Sequence, residues 1–293
     1  MLLKHGLAGL MNAGGEQDFL FTVTTTTSSE TVTIPCQAGT FSATMTAVDA
    51  NSPHDTGASI TAFDDTNLAM TFASAGDHVV RISGTFPNIY WANGINDRAK
   101  VKSVENLGSV GWSVLNDAFA GCTAMTSFTA GDCDTSAVTT MQFMFFDTES
   151  VTSFDLTGMD TSSCTNMNAM FRCTNAQAAS VIDVSGFDTS SVTNFSSMFR
   201  QNATNSITDL PGIEDFSLAA IDNTANMTNF AVNCAVGTAL YDSLLINWEA
   251  QAPFSGLTFH IGATYTGGGA AATARNELDT TYSWTINDAG IAP

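Results

Sequence analysis

The sequence predicts a mixed β and α/β chain: an N-terminal antiparallel β-sandwich, a short solenoid of repeated coils, and a C-terminal α/β cap. Three observations lead there. Short Thr-rich, β-branched runs fill residues 18–90, one phrase ending in Phe recurs through the middle of the chain, and residues 236–293 mix helical and strand-like spacing. The expected division is 1–17 as a docking segment, 18–95 as the sandwich, 96–235 as the solenoid and 236–293 as the cap.

The leading segment reads MLLKHGLAGLMNAGG. One Lys and a short, Gly-interrupted apolar stretch match a secretory signal poorly, so the chain is expected to assemble where it is made or to be exported within something larger. Leu2, Leu3, Leu7, Leu10 and Met11 fall at rough helical spacing. They are expected to dock the chain onto a partner, the bland alternative being a frayed terminus.

In residues 18–90 the runs DFLFTVTTTT, ETVTIPC, TFSATMTAV, SITAF, LAMTF and DHVVRISGTF are separated by Gly, Asn, Asp and Ser. Several short strands with turn residues between them predict an antiparallel sandwich.

The middle repeats itself. WSVLNDAF, VTTMQFMF, CTNMNAMF and VTNFSSMF end at Phe119, Phe145, Phe171 and Phe199, at spacings of 26, 26 and 28 residues. A weaker echo, NTANMTNFA, puts Ala231 in that place. Ahead of three of these phrases stand SFTAGDCDTSA, SFDLTGMDTSS and VIDVSGFDTSS. Alternating Phe154 and Leu156, or Ile182 and Val184, predict a strand with one buried face, and Gly with Asp-Thr-Ser predicts a turn and helix cap. Val138, Met141, Met144 and Phe145, matched by Val192, Phe195, Met198 and Phe199, then predict a short helix. Such units bury their faces only by stacking, with the Phe positions as an internal ladder.

GFDTSSVTNFSSMF resembles the repeat of BspA-like leucine-rich-repeat surface proteins over residues 100–235, and VKSVENLGSVGWSVLNDAFAGC resembles that family's entry coil. The resemblance implies a leucine-rich-repeat-type solenoid used in adhesion and host recognition, in a family found on bacterial surfaces and in phage genomes. TFASAGDHVVRISGTFPNIYW resembles the last strands of a PKD-like, immunoglobulin-type module, although AVDANSPHDTG stands where that module carries Trp-Gly-Asp-Gly.

In the last part, Leu240, Leu244, Leu245 and Trp248 share one face of a helix. LTFHIG and SWTIND read as strands, and AAATARNEL as a short helix between them. Capping keeps the end of a repeat stack from exposing its core, and the resemblance extends to a C-terminal module of similar repeat proteins that carries no catalytic residues.

Composition narrows function. The formal net charge is −20, with eight Lys plus Arg. That repels nucleic acid and anionic membrane, and no run of about 18 apolar residues predicts a membrane span. The six cysteines include no CxxC pair, which argues against zinc and for buried free thiols. There is no Gly-Lys-Ser/Thr phosphate loop, nucleophile elbow or HExxH motif, so no enzyme is expected.

Two sets of residues stand out as a recognition or cation face. Asp134, Asp160 and Asp188 share a slot in successive units. Each is expected to accept N–H groups of its own Asp-Thr-Ser turn, with a Ca²⁺ ion as the alternative. Arg172 and Arg200 share another slot and are expected to pair with acids of their own units, or else to meet an anionic sugar or a partner's carboxylates. The functional expectation is a multi-copy, non-catalytic virion component of a bacteriophage: a decoration, appendage or host-attachment protein. It would hold other virion proteins through its first residues and meet a host glycan or protein with the repeats. A bacterial cell-surface adhesin is the alternative, and a carbohydrate-active enzyme a third reading.

Overall fold

A computed structural model describes residues 17–47, 50–92, 96–202, 206–222 and 226–293. Leu2, Leu3, Leu7, Leu10 and Met11 lie outside the described residues.

All six β-branched runs of the first part form strands: β1 (Phe19–Thr25), β2 (Glu30–Thr33), β3 (Ser42–Ala47), β4 (Ala58–Ile60), β5 (Ala69–Phe72) and β6 (Gly76–Thr85). β3 and β5 alternate buried and more exposed residues, as strands with one covered face do. β1 is buried along nearly its whole length because it is central. It pairs antiparallel with β6 on one side and with β7 (Val101–Asn106) on the other. β8 (Ser127–Thr129) and β9 (Ser153–Asp155) then add in parallel, giving the order β4-β3-β6-β1-β7-β8-β9. β2 and β5 form a separate antiparallel pair.

The second half of the chain supplies β10 (Met227–Ala231), β11 (Thr258–Ile261) and β12 (Thr285–Asn287), which pair in parallel, with α1 (Thr238–Ala250) and α2 (Ala270–Thr280) between them. α1 buries Tyr241, Leu244, Leu245 and Trp248.

These observations overturn the predicted fold class. The chain is mostly β, with one large mixed sheet and, among the described residues, two α-helices. It does not form a separate sandwich followed by a closed leucine-rich-repeat solenoid and an independent α/β cap. β7 is the reason at the first junction: one edge pairs with β1 and the other with β8, so a single sheet runs from the N-terminal strands into the repeats. At the second junction, β10 lies within the expected repeat region yet pairs with β11.

The helix expected in each repeat is also absent, for a local reason. Asp117, Phe143, Ala169, Ser197 and Asn229 occupy one slot, and all have φ between 53° and 57°. A right-handed helix cannot pass through a left-handed residue. The residue three places earlier contributes to the turn: Asn166, Asn194 and Asn226 each accept, through Oδ1, the N–H two residues on, and the Thr140 hydroxyl does the same for Gln142. The predicted strand at Ile182 and Val184 reduces to a single parallel bridge, Val181 to Asp209.

The turns nevertheless stack in register. Met141, Phe143, Phe145 and Asp147 donate their N–H groups to the carbonyls of Asn166, Asn168, Met170 and Arg172 at 2.8–2.9 Å. The intervening N–H groups of Met144 and Phe146 turn back to Met141 and Phe143. Half of the backbone donors here close the turn, and the other half bind the next layer. The same pattern links residues 167–173 to 194–200 and 195–201 to 226–232. Phe119, Phe145, Phe171 and Phe199 stack at 5.3–5.8 Å between centroids, with Phe128 and Phe154 of β8 and β9 wedged edge-on between successive rings. Phe230, not Ala231, continues the aromatic path at 5.4 Å from Phe199 and hands it on to Trp248.

Candidate functional site

The Asp-Thr-Ser segments assign opposite tasks to neighbouring residues. Thr135, Thr161 and Thr189 are buried, and their hydroxyls donate to the carbonyls of Asp160, Asp188 and Ser217 in the next layer. Asp134, Asp160 and Asp188 point outward and are exposed. Asp134 Oδ1 accepts the Ser136 hydroxyl at 2.6 Å and its amide at 3.1 Å; Asp160 accepts both groups of Ser162, and Asp188 the Ser190 amide. The Ser hydroxyl and then the Ser amide hold the Asp134 and Asp188 carboxyls below the ordinary carboxylate range. Each carboxylate is thus occupied by its own turn, and among the described residues no group of three His, Cys, Asp or Glu side chains is placed to hold a metal ion.

The arginine slot behaves differently. Arg81 pairs with Asp18, Lys100 with Glu30 and Asp97, Lys102 with Asp77, and Arg275 with Asp288. Arg172 and Arg200 do not follow suit. Neither is in an ion pair or donates a side-chain hydrogen bond among the described residues, and the Nε of each is buried without a partner. The expectation that they pair with acids of their own units is therefore corrected. The cause is the register of the layers. Arg172 follows Phe171 and Phe146 follows Phe145, so Arg172 sits directly beside Phe146, with its guanidinium carbon 5.5 Å from the ring centroid. Its side chain lies on an aromatic face.

That face is one wall of a cavity of about 560 Å³. Ala120, Phe146 and Arg172 come from the arginine slot of three successive layers, Asp117 and Phe143 from the left-handed slot, and Gly121 and Asp147 from the slot after the arginines. Thr123, Glu149, Thr174 and Asn175 complete the repeat side, and Tyr90, Ala92 and Arg98 close it from the segment between β6 and β7. Gly121, at φ +70°, lets the Arg98 guanidinium approach: a Cβ there would fall 2.7 Å from Nη1. Asp147 Oδ1 accepts the Thr174 amide at 2.6 Å, and Glu149 Oε1 accepts Asn175 Nδ2 at 3.1 Å. Burial raises the Asp117 carboxyl above the ordinary range, although the Asn116 amide beside it pulls the other way.

Of the residues singled out in the sequence, Arg172 alone lines this cavity. Tyr90, Arg98, Phe143, Phe146, Asp147, Glu149 and Asn175 escaped sequence reasoning. A signal was present: the slot filled by Asp, Ala, Ser and Asn in other layers holds Phe143 here, a bulky side chain in a conformation that disfavours it.

The remaining reactive groups are structural. All six cysteines are free. Burial raises the thiols of Cys133 and Cys164 to about 11 and those of Cys36 and Cys173 to about 12. Met141, Met167 and Met227 are buried in the core. His54 is buried, and its Nε2 lies 2.6 Å from the Asn67 carbonyl, to which it donates. No helix among the described residues is long and apolar enough to cross a membrane.

This arrangement defines a class: a layered β protein with a polar, aromatic-walled cavity on the turn side of its repeats. Residues 113–237 match a family model described as Mycoplasma protein of unknown function, DUF285, which covers the repeats and less than half of the chain. No curated protein and no solved structure matches.

Proposed function

We propose that the protein is a non-catalytic recognition protein that displays its repeat layers to a binding partner. In its most specific form, the reading is a multi-copy bacteriophage virion component: a decoration, appendage or host-attachment protein. The observation that carries recognition is the pair Arg172 and Arg200, at matching positions of successive layers and without carboxylate partners among the described residues, in a chain of net charge −20. Half-buried guanidiniums left unpaired lose hydration without compensation, and a ligand anion restores it. The backbone ladder between layers supports the same reading, because it holds the presenting side chains on a rigid frame. The virion setting rests on the resemblance to BspA-like repeat proteins, and a bacterial cell-surface adhesin remains its alternative.

The test is binding of the fluorescently labelled full chain to a glycan array and to intact bacterial cells. Saturable binding that falls at least tenfold in an Arg172→Ala, Arg200→Ala double variant of unchanged circular dichroism supports recognition. Absence of binding to both surfaces, or binding indifferent to the double variant, overturns it. Antibody labelling of purified particles and of intact cells then separates the settings: regular label on particles supports the virion component, and label on cells alone supports the adhesin.

A further inference from the structure

Building on the recognition reading, we infer that the cavity between Arg172, Phe143 and Asp147 binds an acidic saccharide, a pyranose ring that carries a carboxylate. Three features of the cavity select this chemistry over others. First, Arg172 brings a planar guanidinium that makes no hydrogen bond or ion pair among the described residues, and its guanidinium carbon lies 5.5 Å from the Phe146 ring centroid. A guanidinium fixed in this way presents paired donors that match a carboxylate. Second, Asp117, Asp147 and Glu149 line the same space, yet none lies within ion-pair distance of Arg172. Arg172 and these carboxylates therefore face the cavity separately. One oxygen of Asp147 and one of Glu149 are engaged by Thr174 and Asn175, which fixes the carboxylates and leaves the second oxygen of each to accept from a ligand. A ligand that fits must offer an anion to one wall and several hydrogen-bond donors to the others, as a uronic acid does. A phosphate or polyanion would bring more than one negative charge to a space lined by three carboxylates and two guanidiniums, Arg98 and Arg172, and would be repelled more than a single carboxylate.

Third, Phe143 is half-buried and lines the cavity from a left-handed backbone, at φ 57°. Asp117 and Asn229, in this slot of other layers, adopt that conformation more readily. Its ring stands edge-on to Phe146, 5.6 Å away, so the pair forms an apolar corner beside polar walls. A sugar ring has matching faces, with C–H groups on one side and hydroxyls around its rim. A volume of about 560 Å³ is within the range of small-ligand sites, which run about 300–1,000 Å³, and accommodates one or two sugar rings. A zwitterionic amino acid or short peptide would also offer both charges. It would use one ammonium where three spread carboxylates and Asn175 await donors, so the saccharide is the better match.

The experiment is calorimetric titration of the full chain with glucuronic acid, a galacturonic acid disaccharide, glucose and the dipeptide Gly-Gly. The expected result is binding of at least one uronic ligand, at least tenfold weaker binding of glucose, and no heat from the dipeptide. Arg172→Ala should lose at least tenfold in affinity, and Arg172→Lys most of that. Arg200→Ala, outside the cavity lining, should bind as the parent does, which separates this inference from the array result. Unchanged melting temperatures show that the variants are folded, and an Asn175→Ala variant supplies a second probe should Arg172→Ala fail to fold. Equal binding of glucose and glucuronic acid, preference for the dipeptide, or no uronic ligand bound overturns the inference. A glycan-array signal for neutral glycans alone would overturn it too, while leaving recognition in place.

Discussion

The rings of Phe171 and Phe199 lie 5.6 Å apart, centroid to centroid, with 2° between their planes. They occupy the same slot in consecutive layers, and the Phe171 N–H donates to the Met198 carbonyl at 2.8 Å just beside them. Backbone pairing sets the layer spacing, and the rings repeat with it.

Truncation of such a ring should therefore be costly. Phe171 is buried between Phe145 and Phe199, so Phe171→Ala should lower unfolding free energy by about 3–5 kcal/mol. A shift in the urea midpoint at constant slope measures it. A loss below about 1 kcal/mol would mean that the stack contributes little to holding the layers together.

Phe143 should respond the opposite way. Asn adopts a left-handed backbone more readily than Phe, so Phe143→Asn should leave stability unchanged or raise it by up to about 1 kcal/mol. Thermal melts decide this, and a clear drop in melting temperature would place the ring among the fold's supports instead of the cavity's.

The buried threonine file gives a third expectation. Thr161→Val keeps the shape but leaves the Asp188 carbonyl without its donor from the previous layer, a loss of about 1–3 kcal/mol. Ser162→Ala, at the exposed cap of Asp160, should cost clearly less in the same urea titration.

Glu30 carries a pH signature. The Lys100 ammonium, followed by the Thr26 amide, holds its carboxyl down at about 2 from an ordinary 4.5. A depressed folded value stabilises the fold above the unfolded value, and that contribution disappears as pH falls from about 4.5 through 2. Lys100→Gln should move the Glu30 midpoint upward in a carboxyl NMR titration. An unmoved midpoint would assign the shift to the backbone amides alone.

Thiol reactivity offers a further check. With thiols raised by burial to about 11 in Cys133 and Cys164 and about 12 in Cys36 and Cys173, the native protein should react slowly with a thiol reagent at pH 8. All six should react at once after denaturation. Fast native reaction of Cys122, Cys164, Cys173 or Cys234 would contradict their buried placement, Cys36 and Cys133 being partly exposed.

Much of the layering was legible in the residues. Phe119, Phe145, Phe171 and Phe199 could be aligned by spacing alone, and the β-branched runs of β1 to β6 by alternation and turn residues. The helix prediction failed because Met141, Met144 and Phe145 have the apolar spacing of a helix, and a turn that buries the same residues has it too. What separates the two is the left-handed residue at Phe143, which a bulky side chain gives no reason to expect. The arginines were misjudged because acids near in sequence are not acids within reach: Arg172 found Phe146, one layer away.

From its residues alone, this chain determines which side chains are buried, how often the motif returns and how strongly negative its surface is, since apolar period and charge are local properties. Only the tertiary structure decided that β7 joins two regions into one sheet, and that Arg172 faces a cavity with Phe143 and Asp147. Both depend on register between segments distant in sequence, and register is set by backbone hydrogen bonds that every residue type makes alike.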